Sequence, residues 1–214
     1  MAVAGSALSA CGVEDEQLAM AMEADAASAS TTEQPLAALT FASVRAFNDG
    51  WVTDDAVNST EHYNIGKIYW FLSGDSFYDA FMTFSFEALP PLTAPIEFAR
   101  LRLCLQSVTG DPWGNLGPLY VARVDPYSSL NTSLYYSASF DTQTYWSGNP
   151  STKCTQVDVT QMVRNGLAKG NRVYLRLFFP HAPRGGTQEF IRVSSSRDSQ
   201  NYPYLYVKYN YTYE

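Results

Sequence analysis

Trp113, flanked by Pro112 and Gly114, and Trp146, in the run Tyr145-Trp146-Ser147-Gly148-Asn149-Pro150, are large flat rings set in turn-forming sequence. Trp51, Trp70, Tyr135, Tyr136 and Tyr145 also lie in or beside such segments, where a loop can hold a ring out to solvent. A ring presented that way offers its face to the apolar face of a sugar, while nearby Asp, Asn, Arg or backbone groups bond the hydroxyls. Stacking on polysaccharide is therefore the chemistry these residues point to. The competing expectation for each is core filling, since aromatic side chains dominate interiors. Tyr204 and Tyr206 share one face of the last apolar segment, with Tyr209, Tyr211 and Tyr213 on the other, an arrangement expected of packing.

Asp49, Asp54 and Asp55 flank the first turn and are the residues expected to hold a calcium ion through oxygen ligands. They lack the regular acidic spacing of an EF-hand loop, and solvated turn caps are the alternative. Catalysis has few parts to work with. The two histidines, His62 and His181, have no zinc-type spacing to each other or to Cys, and the chain carries neither a nucleophile elbow nor a phosphate-cradling Gly loop. Only two carboxylates brought together by folding would serve, as in glycoside hydrolysis. The expectation is a protein that is not an enzyme.

These residues must be positioned by a scaffold, and the composition says which kind. Hydrophobic residues make up 46% and charged residues 16% of 214, a balance that suits a packed domain and not a disordered chain. Fifteen Tyr and twelve Phe favour pleated strands, where rings pack well. Short runs of period two, separated by Gly, Pro, Asn and Asp, predict strands at 39–46, 67–72, 80–86, 99–108, 119–124, 157–159, 172–179, 189–194 and 204–211. In 99–105, Leu101, Leu103 and Leu105 alternate with Arg100, Arg102 and Cys104, and in 172–178 Val173, Leu175 and Leu177 alternate with Arg172, Tyr174, Arg176 and Phe178. Half-wet strands of this kind belong to antiparallel sheets. One helix is expected, capped by Thr160, running to Leu167 and stopped at Lys169-Gly170-Asn171. The fold class is thus all-β, an antiparallel sandwich of jelly-roll type over residues 39–214, with one short helix.

The net charge of −7 is unevenly placed. Glu14, Asp15, Glu16, Glu23, Asp25 and Glu33 all precede the first base, Arg45, so the 21 acids less these six leave fifteen, against fourteen bases. A nearly neutral domain behind an acidic leader lacks the basic footprint of a nucleic-acid binder. Residues 12–38 read as a flexible tether, too poor in large apolar side chains to offset the entropy of ordering.

Leu8-Ser9-Ala10-Cys11 resembles the lipobox of bacterial lipoproteins, which implies a partial export signal over 1–11, lipid on Cys11, and a place in the cell envelope or outside the cell. In an exported protein Cys104 and Cys154 would be able to close a disulfide, whereas in a reducing compartment they would serve as small buried apolar groups. Asp49-Gly50-Trp51-Val52, the run from Ala80 to Phe86 followed by Leu89-Pro90, Ala99-Arg100-Leu101-Arg102-Leu103, Val157-Asp158-Val159-Thr160 with its helix, and Pro203-Tyr204-Leu205-Tyr206-Val207 occur in an order and spacing that resemble the DNRLRE-type domain. That family is a jelly roll grouped with carbohydrate-binding modules of secreted bacterial proteins, and the likeness spans residues 45–214. The segment around Gly110-Asp111-Pro112-Trp113-Gly114 departs from it. The resemblance implies a non-catalytic module that binds glycan. The alternatives are a surface or matrix subunit that self-associates through strand edges, and a small polysaccharide-cleaving enzyme.

Overall fold

The structure is a computed structural model that describes residues 37–59, 62–70, 74–89, 96–180 and 186–212. Cys11 and the leader lie outside these residues, as does His181. The side chain of Trp70 also lies outside them, although its backbone is described.

Eleven strands carry the fold among the described residues: β1 (Ala37–Val52), β2 (Val57–Asn58), β3 (His62–Trp70), β4 (Gly74–Ser85), β5 (Phe98–Thr109), β6 (Leu119–Arg123), β7 (Phe140–Trp146), β8 (Cys154–Asp158), β9 (Arg172–Phe178), β10 (Glu189–Ser194) and β11 (Tyr204–Thr212). Helix α1 (Pro112–Leu116) and a 3-10 turn (Thr132–Tyr136) interrupt them, and α2 (Thr160–Leu167) is the one helix of more than two turns among the described residues. All pairings are antiparallel.

The long first strand belongs to both layers. Ala37–Arg45 pairs with β11, and Ala46–Val52 pairs with β4, the register shifting between Phe47 and Gly50. One layer therefore runs β1, β4, β9, β6, β7, the other β1, β11, β5, β8, and β10 and β3 join β5 to β4 to complete a ring. The expected all-β antiparallel sandwich is the architecture found.

Between the layers lies one core, to which alternate residues contribute. Leu101 and Leu103 of β5, Val173, Leu175 and Leu177 of β9, and Leu205 and Val207 of β11 are sealed from solvent, while their sequence neighbours face outward. Leu105 is only half-buried, and Cys104 is buried although it shares the outer face with Arg100 and Arg102. It is bonded to Cys154, its direct cross-strand partner on β8.

In β4 the alternation disappears, since Ala80, Phe81, Met82, Thr83 and Phe84 are all buried. Ala80, Met82 and Phe84 belong to the central core. Phe81 faces the other way, into a second cluster with Val52, Val124, Tyr127 and Leu134 formed where the segment after β6 folds over the outside of the sheet. A strand covered on both faces reads as a continuous apolar run.

Helix α2 spans the expected residues, but its cap differs from the expectation. Thr160 is the first helical residue, and its Oγ1 accepts a hydrogen bond from Ala99 N at 2.9 Å. The carboxylate of Asp158 accepts from Thr160 N at 2.8 Å and takes over the capping role.

Candidate functional site

On the outer face of the first layer, the start of β4, the end of β9, and the 3-10 turn enclose a cleft of about 310 Å³. Its walls are rings: Phe77 and Tyr78 from β4, Phe178 and Phe179 at the end of β9, and Tyr135 from the turn, closed by Pro180. Gly66 of β3 lines it as well. Its φ is +121°, and a Cβ there would stand 2.4 Å from the carbonyl oxygen of Glu189, so only glycine lets β10 approach this closely.

The polar part of the cleft is Asp79 and Arg176, a diagonal pair across β4 and β9. Nε of Arg176 donates to Oδ2 of Asp79 at 2.9 Å, and Nη2 donates to the same oxygen. The remaining donors reach the turn, with Nη2 to Tyr135 O and Nη1 to Ser137 O, both at 3.1 Å. The guanidinium lies 4.9 Å from the Phe178 ring centroid and 5.8 Å from that of Phe81. One arginine thus ties the ring-bearing turn to the sheet.

Burial raises the Asp79 carboxyl to about 6 from 3.8, against the opposing pull of Arg176. Burial and the nearby carboxylates of Asp79 and Asp54 raise the Tyr135 phenol to about 12, which keeps it a hydrogen-bond donor at physiological pH.

The pH dependence follows from the Asp79 shift. The native state takes up this proton near pH 6 and the unfolded chain near 3.8, so the contribution of Asp79 favours the native state fully below 3.8 and is lost as pH rises past 6. The difference is on the order of 3 kcal/mol. Urea titrations of the wild type and of Asp79→Asn between pH 4 and 8 are expected to show this slope in the wild type alone. A pH-independent difference between the two would contradict it.

Four of the expected rings meet at this cleft or stand directly behind its walls. Tyr135 lines it, and Tyr136, 73% exposed, stands edge-on to Tyr135 at 5.2 Å. Half-buried Trp51 backs Tyr78 at 4.8 Å, and half-buried Trp113, carried by α1 instead of a turn, meets Phe179 edge-on at 6.3 Å. Asp111 caps that helix by accepting from Gly114 N at 3.0 Å.

The loop placement expected of two other rings is overturned. Tyr145 and Trp146 do not sit in a loop but end β7, and both are buried. The hydroxyl oxygen of Tyr145 accepts from Leu103 N at 2.9 Å and lies 2.9 Å from Thr155 O, while Trp146 Nε1 donates to Thr155 Oγ1 at 2.6 Å. These two rings bridge the edge strands of opposite layers and seal the core, so neither is available to a ligand. The Asp49 corner is hydrogen-bonded within the chain. Asp49 is buried, and its carboxylate accepts from the Tyr63 hydroxyl, from Ser196 N at 2.8 Å and from Ser196 Oγ. Asp55 accepts from Thr53 Oγ1 at 2.6 Å, Asp54 is exposed, and among the described residues no three His, Cys, Asp or Glu come together.

Asp79, Arg176, Phe178 and Phe179 escaped the sequence reading. The available signal was a single acid inside the apolar run Tyr78-Asp79-Ala80-Phe81-Met82, a placement that demands a buried partner. Tyr204 and Tyr206, expected to be packing residues, point away from the core: they are half-buried, while their neighbours Leu205 and Val207 are sealed.

No helix among the described residues is long and apolar enough to cross a membrane. No protein-family model matches the chain, and no curated protein matches its sequence.

Proposed function

We propose that the chain is a non-catalytic carbohydrate-binding module and that the cleft between β4, β9 and the 3-10 turn takes a sugar of an extracellular or cell-envelope polysaccharide. The observation that carries this reading is a concave site walled by rings around a fixed arginine–aspartate pair. Rings supply stacking area at low entropic cost, and a few placed polar groups set orientation. Asp79 is held on one oxygen by two donors of Arg176, which gives it a structural duty and supports binding over glycoside cleavage. The lipobox-like Leu8-Ser9-Ala10-Cys11 and the bonded Cys104 and Cys154 fit display on the outside of the cell.

Calorimetric titration with neutral oligosaccharides tests the reading. Tyr135→Ala and Phe178→Ala are each expected to weaken binding about tenfold, at the scale of one stacking contact, with little change in melting temperature for the turn variant. Absence of binding to any neutral glycan, or affinity indifferent to both substitutions, would overturn it.

A further inference from the structure

The outer face of the second layer carries a different surface. Along β1 the outward residues are Phe41, Ser43 and Arg45; along β11 they are Tyr204, Tyr206 and Lys208; along β5 they are Phe98, Arg100 and Arg102. The pairing register sets them in cross-strand rows: Phe41, Lys208, Phe98; then Ser43, Tyr206, Arg100; then Arg45, Tyr204, Arg102. Phe41, 51% exposed, stacks on Tyr206 at 5.5 Å with the planes 15° apart. Each arginine rests on a ring: Arg45 lies 4.2 Å from the Tyr202 centroid, Arg100 5.4 Å from that of Phe98, and Arg102 5.3 Å from that of Tyr204.

None of these three arginines forms an ion pair with a described residue. Lys208 is neutralised by Glu97 at 2.6 Å. Asp158, across from Arg100 in the register, caps α2 through Thr160 N. Three positive charges against one negative leave two in excess, on a domain whose sum is −1. A guanidinium resting on a ring is oriented for the planar, forked grip of a carboxylate, although Arg45 already gives one N–H to Ser196 O.

We infer that this face binds an acidic polysaccharide, a polymer of uronic acid rings that lie on Phe41, Tyr206 and Tyr204 with their carboxylates in the forks of Arg45, Arg100 and Arg102. The inference shares its ligand class with the cleft reading but rests on different residues. A single-stranded nucleic acid would also stack on such rings, but its dense phosphates meet a domain with no positive charge overall, whereas a uronate polymer needs only the local excess.

Binding of polygalacturonate, of its methyl ester and of oligodeoxythymidine to the full chain decides the matter. Arg45→Gln/Arg100→Gln/Arg102→Gln is expected to weaken polygalacturonate binding about tenfold, since exposed ion pairs are individually weak and act here in sum. The methyl ester, which keeps the rings and loses the charges, is expected to bind as weakly to the wild type. Arg100→Gln/Arg102→Gln is expected to leave the binding of neutral oligosaccharides unchanged, which separates this face from the cleft. Arg45 also donates to Ser196 O, so the Arg100→Gln/Arg102→Gln pair serves as a second variant should the triple one unfold. Equal polygalacturonate affinity of the variants and wild type, equal affinity for the ester, tighter binding of oligodeoxythymidine, or an equal loss of neutral-oligosaccharide binding in Arg100→Gln/Arg102→Gln would each overturn the inference.

Discussion

Arg176→Ala will lower the melting temperature by about 10 °C, and it will do so more at pH 8 than at pH 5. The substitution leaves Asp79, 6% exposed, without the cation that its carboxylate faces. Stranding one partner of a buried pair costs about 3–5 kcal/mol, and for a domain of this size each kcal/mol moves the transition by about 2–4 °C. Asp79 already protonates near pH 6, so acid removes the stranded charge and part of the penalty. The double variant Asp79→Leu/Arg176→Met is expected to recover most of the stability, because a well-packed apolar pair can replace a buried ionic one. It is not expected to recover sugar binding, since the carbonyls of Tyr135 and Ser137 lose the donors that hold the turn. Calorimetric melting of the three proteins at the two pH values, paired with glycan titration, separates burial of charge from clamping of the turn. A single variant that melts like the wild type would remove Arg176 from its central place in the cleft.

The second large effect belongs to the disulfide. Cys104 and Cys154 are 50 residues apart in sequence, and their bond closes a loop holding β6, β7 and both intervening helical turns. On the chain-entropy account a loop of that length stabilises the native state by about 4 kcal/mol. Cys104→Ala/Cys154→Ala is therefore expected to melt about 8–16 °C lower than the oxidised wild type, and reduced wild type is expected to fall near the double variant. The bond also fastens β8, a short strand whose ladder runs along β5 alone among the described residues. Hydrogen exchange of Thr155 and Val157 should accelerate most when it is opened. Coincident melting of the oxidised and reduced protein would show that the ladder holds β8 unaided.

Much of this scaffold was legible in the sequence wherever one face of a strand is dry and the other wet. β5 and β9 announce themselves because Leu101 and Leu103, and Val173, Leu175 and Leu177, alternate with polar or long side chains. β7 was not legible. Asp141, Thr142, Gln143 and Thr144 are polar on both faces, as an edge strand allows, and apolar character returns only at Tyr145 and Trp146. Those two rings directly precede Ser147-Gly148-Asn149-Pro150, so the turn that follows lent them its character although their own side chains turn inward. The second half of β1 was hidden for a related reason. Asn48-Asp49-Gly50 reads as a turn, but Asn48 takes φ +46° at a register shift and the strand goes on to Val52.

The cleft was half visible. Tyr135 was found because its segment looks like a loop, whereas Asp79 and Arg176 are 97 positions apart and only the pairing of β4 with β9 brings them together. A lone acid in an apolar run shows that a partner must exist and not which arginine it is. The stacked face of the second layer was hidden by a different rule, since Tyr204 and Tyr206 alternate correctly and periodicity alone does not say which of two faces is the dry one.

The first nine positions of β1 have β11 as their partner, with Ala37 opposite Thr212. The opening and closing segments of the domain are therefore neighbours, and the ladder between them waits until the closing segment has been made. Until then an apolar strand has an unsatisfied edge, the condition under which nascent chains pair wrongly or recruit holding factors. Pairing that joins the far ends of a sequence is also slow, since the whole intervening chain must be gathered first. A polypeptide built this way stays open while it is being made.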